Sequence, residues 1–189
     1  MAQGTVSSPL SADVKIRQYQ SCDQEQVVQL YVAGIRDYEH NYGEPRDDTL
    51  AFWESFIQKS LRDDLEKIEQ VYLALGGNFW VATVAGDANG DGKEKVVGMV
   101  ALEKKADGEG KLRRMSVSSE YRRFGLGRCL VALLEAWAKE NAFKRVELST
   151  GSIMPNALRF YPSVGYAYVR SEVLQAELGY ELVYFAKTL

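Results

Sequence analysis

The 189-residue chain predicts a mixed α/β protein with one central sheet, largely antiparallel, flanked by helices. Three observations carry this. Segments with period-two and period-3.6 apolar spacing follow one another in the order β-α-α-β-β-β-α-β-α-β-β. One of them, Val96 to Leu102, is a near-continuous apolar run, suited to burial on both faces of a sheet. The length suits one core, and no repeat or linker-like stretch divides it. Residues 1–12 are small and polar and read as a loose tail, and 13–189 read as a single domain.

Each element has its own warrant. Val14 and Ile16 alternate with Lys15 and Arg17, a short first strand. From Cys22 to Tyr42 the residues Val27, Val28, Leu30, Tyr31 and Ile35 recur at helical spacing, and Gly43-Glu44-Pro45 ends the run. A second helix is predicted from Asp48 to Gln70. Leu50, Phe52, Trp53, Phe56, Ile57, Leu61, Leu65 and Ile68 form its apolar stripe, with Arg62, Asp63, Glu66 and Lys67 on the other side. Phe79 to Val84, Val96 to Leu102 and Leu112 to Val117 read as three strands separated by the polar turns at Gly86–Lys93 and Asp107–Gly110. A helix from Gly127 to Asn141, a strand from Val146 to Thr150 and a short helix from Asn156 to Val164 follow. Tyr166–Val173 and Glu181–Lys187 close the chain as a hairpin-like pair.

Composition narrows the function classes. Lys and Arg total 23 against 26 Asp and Glu, a net charge of −3, which argues against nucleic acid or an anionic membrane as the main partner. The single histidine, His40, excludes a multi-histidine metal centre. Cys22 and Cys129 form no CxxC pair, which suits a reducing compartment. No basic segment precedes an apolar run at the N-terminus, and the longest uncharged stretch, Gln70 to Gly86, is shorter than the ~20 residues a spanning helix needs. A cytoplasmic, unanchored protein is expected. Asp87 to Gly92 matches half of a calcium loop, but Gly98 stands where the bidentate glutamate belongs, so it reads as a polar turn and no metal is expected.

The stretch from Val117 to Arg128 carries the most chemistry. It joins a strand to a helix through Gly125 and Gly127, which permit close backbone approach. The first amides of a helix lack internal partners and favour an anion. Arg122, Arg123 and Arg128 are the wrong sign for a helix start unless a phosphate sits there. Arg128-Cys129 after Gly127 departs from the nucleotide P-loop, and Leu130 departs from the dinucleotide fingerprint.

Arg122-x-x-Gly125-x-Gly127, together with Asn156-Ala157-Leu158-Arg159-Phe160-Tyr161-Pro162-Ser163-Val164-Gly165-Tyr166, resembles the two cofactor motifs of the GNAT superfamily of N-acetyltransferases. Their separation and the element order from Asp13 to Leu189 agree with it. Leu112–Gly127 and Leu148–Thr150 resemble the camello-like branch, without its apolar membrane segment. The resemblance implies that the fourth and fifth strands splay apart around an acyl-pantetheine arm. Main-chain groups of Met115, Ser116 and Val117 would pair with it. Backbone amides of Arg123, Phe124, Gly125, Leu126, Gly127 and Arg128 would hold the pyrophosphate, helped by Arg122, with Asn156 and Phe160 beside the cofactor. Acetyl-CoA is then the cosubstrate and an amine the acceptor. A homodimer is allowed, and neither nucleic acid nor membrane is expected.

Thioester aminolysis needs a neutral amine, a stabilised oxyanion and a proton for the leaving thiolate. The resemblance implies Tyr161 for the third role and a main-chain amide of Met115 or Val117 for the second. The general base is open. Lys111 and Arg113 stand where relatives often carry Glu or His, leaving Glu103, Glu147, Glu109, His40 or a water chain. Met154 replaces an asparagine of the family, a contact that Asn156 or Ser152 could supply. The acceptor is expected between the first two helices and the last hairpin, near the acidic stretch from Asp37 to Glu44. A non-catalytic acyl-CoA-binding module and a transferase for longer acyl groups are the alternatives.

Overall fold

The computed structural model describes residues 14–39, 47–86, 93–106, 108–175 and 180–189. The N-terminal segment 1–12, His40 and the Asp87–Gly92 turn lie outside the described residues.

The segments read as strands become β1 (Lys15–Gln18), β2 (Asn78–Val84), β3 (Lys95–Lys104), β4 (Glu109–Val117), β5 (Arg145–Gly151), β6 (Ala167–Gln175) and β7 (Tyr180–Thr188). The helical periods become α1 (Gln24–Glu39), α2 (Asp47–Ser60), α3 (Leu126–Glu140) and α4 (Pro155–Ser163). Pro155 opens α4, where its missing N–H costs nothing. The strands form one seven-stranded sheet in the order β1-β2-β3-β4-β5-β7-β6. All neighbours are antiparallel except β4 and β5.

The apolar runs of β2 and β3 are buried on both faces, as their lack of alternation requires. Trp80, Ala82, Val100 and Leu102 pack on Leu126, Leu130 and Leu134 of α3. On the other face Phe79, Val81, Met99 and Ala101 pack with Val27, Tyr31 and Ile35 of α1 and Trp53 and Ile57 of α2. Among the described residues no helix is long and apolar enough to cross a membrane.

The second helix departs from expectation. The continuous run predicted to Gln70 ends as α-helix at Ser60 and continues as two widened π-helical turns, Leu61–Leu65 and Glu69–Leu73. The first wide turn carries Asp64 into the interior, fully buried, while Arg62, Asp63, Glu66 and Lys67 remain exposed. π turns of this kind recur beside functional sites.

Two irregularities shape the sheet. Between Met99–Ser116 and Ala101–Arg113 the register slips, so Arg114 and Met115 face Val100 alone. This is a β-bulge, and Arg114 takes a left-handed φ of 53° within it. The second irregularity is a fork. β4 and β5 pair only at Glu109–Arg145, Gly110–Val146 and Lys111–Glu147 and then part.

Candidate active site

The fork opens into a cavity of about 670 Å³. Met115, Ser116 and Val117 of β4 line one side, and Ser149, Thr150 and Gly151 of β5 the other. Beyond Lys111 and Glu147 the facing edges of these strands have no partner across the gap, which leaves room for an extended ligand to pair with the sheet. Tyr161 of α4 lies on the wall and is 7% exposed. Phe160, Tyr166 and Phe185 fix its ring, with centroids 5.4, 6.0 and 6.1 Å away. The roof comes from α1 (Tyr31, Gly34, Ile35), α2 (Phe52, Ser55, Phe56, Lys59, Ser60) and the β6–β7 hairpin (Leu174, Tyr180, Leu182). Gly34 lets α1 approach: a Cβ there would lie 3.1 Å from Ser116 Oγ. Burial pushes the Tyr180 hydroxyl up to about 12, so it stays protonated in the wall.

The glycine turn stands at one end of the cavity. Arg123 and Gly125 both have left-handed backbone, with φ of 69° and 87°, and α3 starts at once after them. Such a turn aims successive amides at one point. The amide of Cys129 bonds back to Gly125 O at 3.1 Å, so those of Leu126, Gly127 and Arg128 precede the first helical bond. A Cβ on Gly127 would meet Met115 Cε at 3.2 Å and Phe160 Cζ at 3.4 Å. The helix start, β4 and α4 therefore converge. Arg122 lines the cavity, donating to Val117 O at 2.9 Å and Asp37 Oδ2 at 3.0 Å. Arg128 donates to Ser163 O and Oγ, both at 3.0 Å, tying α3 to the end of α4. Phe124 is exposed at the turn, and Asn156, also exposed, accepts from Arg159 at 3.0 Å. Ser152 Oγ accepts from the Glu181 amide at 3.1 Å.

The two carboxylates expected as bases, Glu103 and Glu147, stand on either side of Lys111 in the strand register. Glu103 and Glu147 are not among the described cavity-lining residues. Glu103 accepts from Arg113 at 3.0 Å and from Lys105; burial pushes its carboxyl up, but these partners outweigh it and hold the group below its ordinary range. Glu147 lies 3.8 Å from Arg145, and Glu109 accepts from Arg145 at 2.9 Å. Of the acidic stretch expected near the acceptor, Asp37 is bonded to Arg122, and residues 38–44 have no described side chain.

Among the described residues the cavity wall instead carries the cations Lys59, Lys111, Arg113, Arg114 and Arg122 against one acid, Asp63. Arg114 is the most deeply set. Its Nε donates to Asp64 Oδ2 at 2.8 Å and its Nη2 to Asp64 Oδ1, a bidentate pair, and Tyr72 donates its hydroxyl to the same carboxylate. The Arg114 guanidinium lies 4.9 Å from the Tyr31 ring centroid, and Tyr31 donates to Ser60 Oγ at 2.7 Å. Burial disfavours the Arg114 charge, but Asp64 more than restores it. Sequence reading missed this cluster. The available signal was Asp64 itself, an acid at helical spacing within the stripe of Leu61, Leu65 and Ile68.

The sequence profile of the Acetyltransferase (GNAT) family matches residues 36–166, which contain α2, β2 to β5, α3 and α4. This chain belongs to the GNAT acetyltransferase family. Among curated relatives, N-acetyltransferase 8 of Rattus norvegicus is 26% identical, the match covering 82% of this chain and 86% of the relative. N-acetyltransferase family 8 member 2 of Rattus norvegicus is 31% identical over 62% of this chain and 52% of its own. N-acetylaspartate synthetase of Xenopus tropicalis is 35% identical over 60% and 40%. The chain thus spans about half the length or less of these last two. Among solved structures, a Thermoplasma acidophilum PaiA N-acetyltransferase in complex with coenzyme A superposes with a TM-score of 0.71 at 17% identity, covering 93% of this chain and 99% of that one. A GNAT acetyltransferase from Staphylococcus aureus gives 0.68 at 23% identity, covering 93% and 98%. The GNAT fold is therefore the frame in which the fork, the bulge and the glycine turn stand together.

Proposed function

We propose that this chain transfers the acetyl group of acetyl-CoA to a primary amine of a small molecule, an amino acid or a lysine side chain. The observation that carries the reading is the fork: two strands that part after Lys111 and Glu147, with Tyr161 on the wall and the glycine turn at one end. The names of the related N-acetyltransferases support the same reaction class.

The residues suit the cofactor's parts. The amides at the start of α3 and the nearby Arg122 offer donors to a pyrophosphate. The edges of Met115–Val117 and Ser149–Gly151 offer main-chain partners to an amide-bearing arm. Acetyl-CoA supplies an activated acyl thioester. Around it, a main-chain amide at the β4 bulge donates to the developing oxyanion. Tyr161 holds a proton for the departing sulfur, because a nascent thiolate is basic enough to share it. The cationic wall lowers the proton affinity of a bound amine, so an attacking nitrogen is more readily neutral. Water accepts the remaining proton, since no carboxylate on the described wall other than the lysine-bound Asp63 is placed to do so.

Release of free CoA with a panel of amines tests the reading. Tyr161→Phe is expected to lower turnover roughly 10²-fold or more while acetyl-CoA still raises the melting temperature. Saturating acetyl-CoA at about a hundredfold over Kd stabilises by about 2.7 kcal/mol, a rise of roughly 5–10 °C for a chain of this size. Absence of both turnover and thermal shift would sink the proposal. A shift without turnover favours the non-catalytic acyl-CoA-binding module.

A further inference from the structure

Among the described residues five cations line the cavity, and four of them are matched: Lys59 with Asp63 at 3.0 Å, Arg113 with Glu103 at 3.0 Å, Arg114 with Asp64, and Arg122 with Asp37 at 3.0 Å. Lys111 is the exception. Among the described residues its ammonium makes no hydrogen bond or ion pair, although it is half-buried. The nearest carboxylates by register, Glu103 across β3 and Glu147 across β5, are held by other cations.

Lys111 is also the last β4 residue paired with β5 before the fork opens. Lys111 lines the same cavity as Tyr161. Unlike the three guanidinium groups on this wall, an amine can give up its proton and become a nucleophile. Burial, followed by the charges of Arg113 and Lys105, pushes its amine below the ordinary lysine range, while Glu147 and Glu103 pull the other way.

We infer that Lys111 is itself an acetyl acceptor, a site of self-modification inside the active-site cavity. The inference rests on the acetyl transfer proposed above. The step is the same chemistry turned inward: a C–N bond forms between Lys111 Nζ and the acetyl carbonyl carbon, and the thioester C–S bond breaks. Lys111 first gives one ammonium proton to solvent; the sulfur then leaves with the proton held by Tyr161, and the proton the nitrogen sheds as the amide forms passes through water to restore the tyrosine. The product is a neutral amide. It removes a charge repelled by Arg113 and Lys105 and fills part of the acceptor space, so the modified protein turns over external amines more slowly.

The test is incubation of the full chain with acetyl-CoA alone, followed by peptide mass mapping and an assay of amine turnover. The expected result is an acetyl group on the Lys111 peptide, formed ahead of any on exposed Lys139, and its loss in Lys111→Arg. An excess of an external amine substrate suppresses it, and Lys111→Gln reproduces the slowed turnover of the modified protein. Turnover of an external amine with Lys111 unmodified, or modified no faster than Lys139, overturns the inference and leaves the acetyltransferase reading intact. No turnover of any amine, no thermal shift and no acetylated Lys111 overturns both.

Discussion

Arg114 and Lys111 lie three positions apart on β4, face one cavity and carry the same charge, yet their surroundings are opposite. Arg114 is met by a carboxylate that two departures from regular structure bring to it: the bulge that turns its backbone left-handed and the wide turn that carries Asp64 inward. Lys111 sits in regular strand pairing and, among the described residues, receives no hydrogen bond or ion pair. The difference shows how selectively the fold matches charge. Burying an ion costs several kcal/mol, and the structure around Arg114 offsets that cost while that around Lys111 does not.

The largest effect is expected at Asp64. Asp64→Ala leaves the Arg114 guanidinium buried and unmatched and is expected to destabilise the fold by about 3–5 kcal/mol in urea unfolding. Replacing both partners, as in Asp64→Leu with Arg114→Met, should recover most of that loss. A double variant as unstable as the single one would show that Asp64 holds the wide turn rather than the charge.

A smaller effect of opposite sign is expected at Lys111. Its folded-state pKa is depressed, so the protonated side chain opposes folding at neutral pH. Lys111→Met should therefore raise the melting temperature at neutral pH. The gain should shrink as pH rises through the folded pKa toward the unfolded lysine value, where both states of the parent are neutral. A pH-independent gain would instead indicate better apolar packing.

The smallest effect is at Glu103, whose charge helps hold the Lys111 proton. Glu103→Gln should change stability by no more than about 1 kcal/mol, as for other partly exposed ion pairs. It should lower the Lys111 pKa further, which nitrogen NMR titration would read directly. An upward shift would contradict the balance of charges around the fork.

These two cations also mark how far sequence could be read. The alternation in β1, the apolar runs of β2 and β3 and the stripe of α3 are local signals, and each reappears as an element within a few residues of its expected bounds. Gly125 and Gly127 announced the turn at the start of α3, the first because its left-handed backbone favours glycine and the second because Met115 and Phe160 approach it closely. Lys111 could be placed on the fourth strand, but its isolation depends on which cation each neighbouring carboxylate chooses. Asp64 was less legible still. Its partner Arg114 is fifty positions away, and neither a wide helical turn nor a left-handed arginine has a local sequence mark. The predicted acceptor region drew attention to acids in the Asp37–Glu44 stretch, whereas the charged groups described on the wall are chiefly cations from α2, β4 and the glycine turn.

Gly127 rests against Met115 from one arm of the fork and against Phe160 from the helix that carries Tyr161. A shim between two movable jaws behaves in the same way: its thickness sets their spacing. The approach of β4 and α4 is thus limited at this point by a residue with no side chain, outside the described cavity wall. A methyl added there would meet Met115 Cε at 3.2 Å, so the methionine end must yield slightly, and the shape of the cavity is open to change from behind the wall as well as from within it.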